Sequence, residues 1–172
     1  RDVSPQNILV TFDGVTKILD FGIATARSRR EDTGDGFIKG KLAYMSPEQA
    51  QGQAVDARTD QFALGVVLYE LTTLRRLFQA PTPGETLALV VGNVVPRPTA
   101  VVEGYPPALE AVVLRALAPQ PDHRFHSCQQ LALALEDVLT GLGKVPSQTR
   151  TAATMERLFR ESLEAEKLLA IP

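Results

Sequence analysis

Three short stretches of the chain carry residues that could do chemistry together. Asp2 is followed five residues later by Asn7, Asp20 opens the triplet Asp20-Phe21-Gly22, and a polar stretch then leads to Ser46-Pro47-Glu48. Carboxylate and amide oxygens are hard donors. They suit hard cations. Gly22, directly after Asp20-Phe21, gives the backbone conformations that a side chain would penalise. Taken singly each stretch is ordinary, and an Asp-Phe-Gly triplet reads equally well as a turn. Their order and spacing carry more: an Asp and an Asn five apart, a hairpin, a second Asp, a polar loop and then Pro-Glu. His123 and His126 stand three apart, but two histidines without further ligands make a poor metal site.

The elements that must position these residues follow from patterning. Ile8-Leu9-Val10 reads as a strand, Asp13-Gly14 as a hairpin turn, and 15–19 as the return strand. The stretch 25–41 is rich in Arg, Asp, Gly and Lys and is expected to be a mobile, exposed loop. Helices are expected afterwards. Residues 60–72 are apolar on nearly every side, which predicts a helix buried all round at the centre of the domain. Two more helices are expected over 84–91 and 107–117, the second with Pro near its first turn. Ser127 and Gln130 form a capping box before a helix whose Leu131, Leu135, Val138 and Leu139 share one face. The expected division is a domain over 1–140, a linker over 141–150 and an amphipathic helix over 151–172. Met155, Leu158, Phe159 and Leu163 form the apolar stripe of that helix. It reads as a face docked on the same domain, or as the start of a following region. The fold class is mainly α, a helical bundle with a small β-hairpin.

Bulk properties narrow the partners. The chain has 172 residues, 44% hydrophobic and 22% charged, enough for one domain with a real core. A net charge of −2 provides no polybasic field, so neither nucleic acid nor an anionic membrane is expected as a partner. The single cysteine, Cys128, excludes an internal disulfide and suits a reducing, cytoplasmic compartment. No apolar run approaches the ~20 residues needed to span a bilayer, so no membrane contact is expected from this segment. The chain opens on Arg1-Asp2 without an initiating Met, and is expected to be part of a longer protein.

The motif series resembles the eukaryotic-like protein kinase family, from Arg1 to about Leu139. Asp2-Val3-Ser4-Pro5-Gln6-Asn7 and Tyr44-Met45-Ser46-Pro47-Glu48-Gln49 look most like bacterial Ser/Thr kinases. The resemblance implies a kinase C-terminal lobe whose hairpin bears the catalytic and magnesium-binding loops. ATP and Mg2+ are the implied cofactors, and a protein is the implied substrate. Asp2 would accept or orient the proton of the substrate hydroxyl, Asn7 would hold one magnesium ion, and Asp20 would hold magnesium bridging the ATP phosphates. That division suits phosphoryl transfer, where the protein must supply positioned cations and an acceptor oxygen in line. Glu48 would pair with Arg124, and Asp60 would cap the catalytic-loop backbone near Arg1. Arg1 would receive a phosphate on the activation loop, at Thr33 in preference to Ser28.

The chain departs from the family at two positions. Most Ser/Thr kinases have Lys two residues after the catalytic Asp, where this chain has Ser4. Most have Thr after the Gly that opens the substrate-docking segment, where this chain has Lys41 after Gly40. Lys41 is therefore expected to reach back towards Asp2 and supply the missing charge, with Ser4 making room. The other reading of Ser4 is an enzyme that has lost activity, a pseudokinase or scaffold. The family's ATP-gripping N-terminal lobe is absent from this chain, so the chain is expected to be the catalytic half of an enzyme, inactive without its own N-lobe.

Overall fold

In the computed structural model, residues 3–19 and 41–162 are described. Pro5, with its φ already set and no N–H to satisfy, opens a 3-10 turn over Pro5–Asn7. The Asn7 N–H closes that turn on the Ser4 carbonyl at 2.9 Å. Strands β1 (Ile8–Val10) and β2 (Thr16–Ile18) pair antiparallel, with Ile8 opposite Ile18. The return strand is shorter than 15–19 because Val15 belongs to the turn. Its N–H donates to Thr11 Oγ1 at 3.1 Å and its carbonyl accepts from Thr11 N at 2.9 Å. Gly14 takes φ +83°, a conformation that favours glycine.

The remaining elements are helical: α1 (Pro47–Ala50), α2 (Arg58–Thr73), α3 (Pro83–Val91), α4 (Pro98–Val101), α5 (Pro107–Ala116), a 3-10 turn over Pro121–His123, α6 (Cys128–Gly141) and α7 (Gln148–Leu158). Pro stands in the first turn of α1, α3, α4 and α5, where its missing N–H is no loss. Full capping boxes open α1 (Ser46 with Gln49) and α3 (Thr82 with Glu85). At α6 the box is only half formed. Ser127 Oγ accepts from Gln130 N at 3.2 Å, but the Gln130 side chain takes the His126 N–H instead of that of Ser127.

The core surrounds α2. Phe62 and Val66 have no exposed surface, and the Phe62 ring stacks on Phe78 with centroids 6.0 Å apart. Gly65 lets α2 approach the end of α5, since a Cβ there would stand 3.0 Å from Leu117 Cγ. A second apolar cluster of Val112, Ala116, Phe125, Leu131 and Val138 joins α5 to α6. The all-round burial expected of 60–72 does not hold for α2. Leu71 is 68% exposed, and Leu74 just beyond the helix is 89% exposed. Both border an open groove of about 490 Å³ whose other walls include Ile8, Val10 and Val67. No other element among the described residues fills that side.

Helix α7 begins at Gln148, inside the stretch expected as linker, because Ser147 caps it by accepting from Arg150 N at 3.3 Å. It contributes no buried residue, and Leu158 is 64% exposed. Leu163 and the residues after it lie outside the described part. Among the described residues no helix is long and apolar enough to cross a membrane.

Candidate active site

The hairpin sets the foot of the site. Asn7 is half-buried where the 3-10 turn runs into β1. Its carbonyl accepts a hydrogen bond from Leu19 N at 2.7 Å, and Leu19 is the immediate predecessor of Asp20 in the sequence. An Asn amide at position 7 and an Asp carboxylate at position 20 are hard-oxygen donor types of the kind magnesium takes. Arg1, Asp2, Asp20, Phe21, Gly22, Ser28 and Thr33 lie outside the described residues, and so does the expected mobile loop over 25–41 except for Lys41, which is helical. Among the described residues no three His, Cys, Asp or Glu gather into a metal cluster, His123 and His126 included.

Lys41, Asp60 and Val3 line one cavity of about 90 Å³, together with Tyr44 and Thr59. Lys41 is thereby brought beside the residue that follows Asp2, and Asp60 reaches the same place from the first turn of α2. Ser4 is 2% exposed, and its Oγ has no hydrogen-bond partner among the described residues.

The segment carrying Lys41 is braced by a network that sequence reasoning missed. Tyr44 Oη donates to Glu70 Oε2 at 2.7 Å, and Arg76 Nη1 pairs with the same carboxylate oxygen at 2.8 Å while also donating to Tyr44 Oη. Glu70 Oε1 accepts from Leu77 N at 3.2 Å. Burial, then the hydrogen bond and charge of Glu70, push the Tyr44 phenol well above its ordinary range. Tyr44 and Glu70 stand 26 residues apart, and no local pattern in the sequence links them.

Glu48 and Arg124 meet across 76 residues, at 2.7 and 2.8 Å, in a two-pronged pair whose side chains are 4% and 0% exposed. Every guanidinium donor of Arg124 is used. The other three bonds reach the carbonyls of Ala118, Arg58 and Pro119. Thr59 Oγ1 adds a bond to Glu48 at 3.0 Å, and the Arg124 guanidinium lies 5.0 Å from the Phe62 ring centre. Burial raises the Glu48 carboxyl, but the hydrogen bonds led by Arg124 outweigh it and hold the group below its ordinary value. This pair ties α1 to the segment that follows the 3-10 turn over Pro121–His123.

Comparison with known proteins agrees with that architecture. The family described as "Protein kinase domain" matches residues 1–154. The chain belongs to the protein kinase family. It is 44% identical over 151 residues to the tyrosine-protein kinase MasK of Myxococcus xanthus, an alignment covering 85% of this chain and 23% of MasK. It is 36% identical over 165 residues to the serine/threonine-protein kinase PknH of Mycobacterium tuberculosis, covering 96% of this chain and 26% of PknH. With PknA of Corynebacterium glutamicum the identity is 37% over 155 residues, covering 90% of this chain and 32% of the relative. The chain thus spans about a quarter to a third of the length of these relatives.

Proposed function

We propose that the intact protein transfers the γ-phosphoryl group of ATP to protein hydroxyls, with Ser and Thr as the acceptors. The observation that carries this reading is the bond from Leu19 N to Asn7 O, which ties the positions before and at the two magnesium-holding residues into one hairpin. In this reading Asp2 takes the proton of the acceptor hydroxyl as its oxygen bonds to the γ-phosphorus and the bond to the ADP oxygen breaks. Asn7 and Asp20 hold magnesium, which when bound offsets phosphate charge. Lys41 supplies the positive charge that Ser4 cannot, a role supported by the cavity it shares with Val3 and Asp60. Arg1 and a phosphorylated Thr33 would form the regulatory pair. The apolar residues Leu9, Ile18 and Leu19, each 43–45% exposed on the hairpin, support the reading that the protein's own N-lobe covers this surface. The protein acts in the cytoplasm on protein substrates, without nucleic acid or membrane contact from this segment.

Ser4, standing where most Ser/Thr kinases have Lys, favours a second reading, a pseudokinase that keeps the fold for protein binding. One experiment separates them: magnesium-ATP phosphotransfer by the parent protein, extended upstream to include the ATP-gripping lobe, with Asp2→Asn as control. Label on Ser or Thr that disappears in the control is the expected result. Label on Tyr would move the acceptor to the type named for MasK. A folded parent that binds no magnesium-nucleotide would favour the scaffold.

A further inference from the structure

The turn of the hairpin is gripped from outside. A Cβ built on Gly14 would stand 2.2 Å from the Gln148 carbonyl oxygen and 2.8 Å from Ala152 N, so the first turns of α7 lie directly on the bare glycine backbone. Gln148 Nε2 donates to the Asp13 carbonyl at 3.0 Å. Phe12 and Phe159 meet edge to face, with centroids 6.1 Å apart and planes at 81°. The grip is close but shallow. α7 has no buried residue, and a cavity of about 380 Å³ remains between Phe12 and the small side chains of Ala152 and Ala153.

The other end of the same hairpin carries Asn7 and, through Leu19, leads to Asp20. The strands are three residues each, so on the order of 10 Å separates grip from foot. A two-stranded hairpin is marginal by itself, and every residue of β2 is exposed. Something must hold its direction, because magnesium tolerates little error in the placing of its oxygen ligands.

We propose that α7 is a clasp that positions the magnesium-holding foot of the hairpin, with Gln148 and Phe159 as positioning residues acting on the turn 11–15, and that undocking α7 lowers the affinity of the site for magnesium. The inference rests on the assignment of Asn7 and Asp20 given under Proposed function. The shallow packing makes the clasp an element that opens at low free energy compared with the core. Whatever pulls on the chain beyond α7 thereby reaches the site through the hairpin.

The test uses the full parent protein and the double substitution Gln148→Ala with Phe159→Ala, which leaves the hairpin sequence untouched. Amide hydrogen exchange of 11–18 and direct titration of Mg2+ binding in the presence of ADP are the two readouts. The clasp predicts exchange in 11–18 faster by about tenfold and a magnesium dissociation constant raised about threefold to tenfold. The melting temperature and kcat at saturating magnesium stay near their wild-type values. Unchanged exchange in 11–18 overturns the clasp. Faster exchange with unchanged magnesium binding overturns the positioning role and leaves α7 as packing alone. Wild-type phosphotransfer is measured alongside: its absence would sink the kinase reading, while exchange and magnesium binding still decide the clasp.

Discussion

Arg124 and Arg58 sit close together and show how differently two arginines of one fold behave. Arg124 is buried, with all five donors matched. Removing its side chain leaves Glu48 buried without its counter-charge. Arg124→Ala is therefore expected to lower stability by roughly 3–5 kcal/mol, measured by denaturant titration. Arg58 pairs with Asp56 and Asp122, whose side chains are 50% and 86% exposed, and Arg58→Ala should leave stability nearly unchanged. The pair also sets an acid limit. Because the folded Glu48 carboxyl is held below its ordinary value, its contribution is complete above about pH 4.3. That contribution is lost as the pH falls through the lowered folded value. Glu48→Gln should reduce stability at pH 7 and flatten its decline below that range. At the cavity that Lys41 shares with Val3 and Asp60, the proposed kinase reading predicts that Lys41→Ala reduces turnover of the parent protein about a hundredfold, the scale of one lost charge-stabilising donor. An unchanged rate would remove Lys41 from the mechanism.

Among the elements, α2 ends on an unusual residue. Leu74 has φ 56°, its N–H closes the helix on the Glu70 carbonyl at 2.9 Å, and its side chain is 89% exposed. A branched side chain in the left-handed region is strained, and glycine is the common solution at a helix end. Leu74→Gly is expected to raise stability by about 0.5–1 kcal/mol, or about 1–4 °C in Tm. Absence of a gain would mean that the leucine is covered in the intact protein, against the groove it borders. The box at α3 gives the opposite case: Thr82→Ala removes a reciprocal cap and should cost about 1 kcal/mol.

For the whole molecule, α5 is the joint. Its Val113 belongs to the cluster around α2, its Val112 to the cluster with α6, and Leu109 packs against both. Two cores sharing one helix are expected to unfold together. Native-state hydrogen exchange should show the α2 amides of Phe62, Val66 and Val67 among the slowest, opening only with global unfolding. The hairpin and α7, which contribute exposed or half-buried residues, should exchange through local opening. If α2 and α6 exchanged with clearly different free energies, the two clusters would be separate units.

The sequence by itself determined what depends on near neighbours. A Pro at the first turn, a Ser or Thr three residues before a Gln or Glu, and an Asp-Gly between apolar runs are read within a few residues, and the order of Asp2, Asn7, Asp20 and Ser46-Pro47-Glu48 is read along the chain without any fold. The boxes at Ser46 and Thr82 are as legible as the one at Ser127, which closes only halfway because Gln130 reaches one residue further, to His126. The resemblance named Glu48 and Arg124 as partners, yet the three carbonyls that complete Arg124 come from segments no pattern joins. Tertiary structure alone decided that Tyr44 and Arg76 meet on Glu70 and that Lys41 comes beside Val3. It alone left Leu71 on an open groove and laid α7 on Gly14. Hydrophobic periodicity says that a face must be covered but not by what. The choice of partner across tens of residues rests on how whole elements pack, which no local spacing encodes.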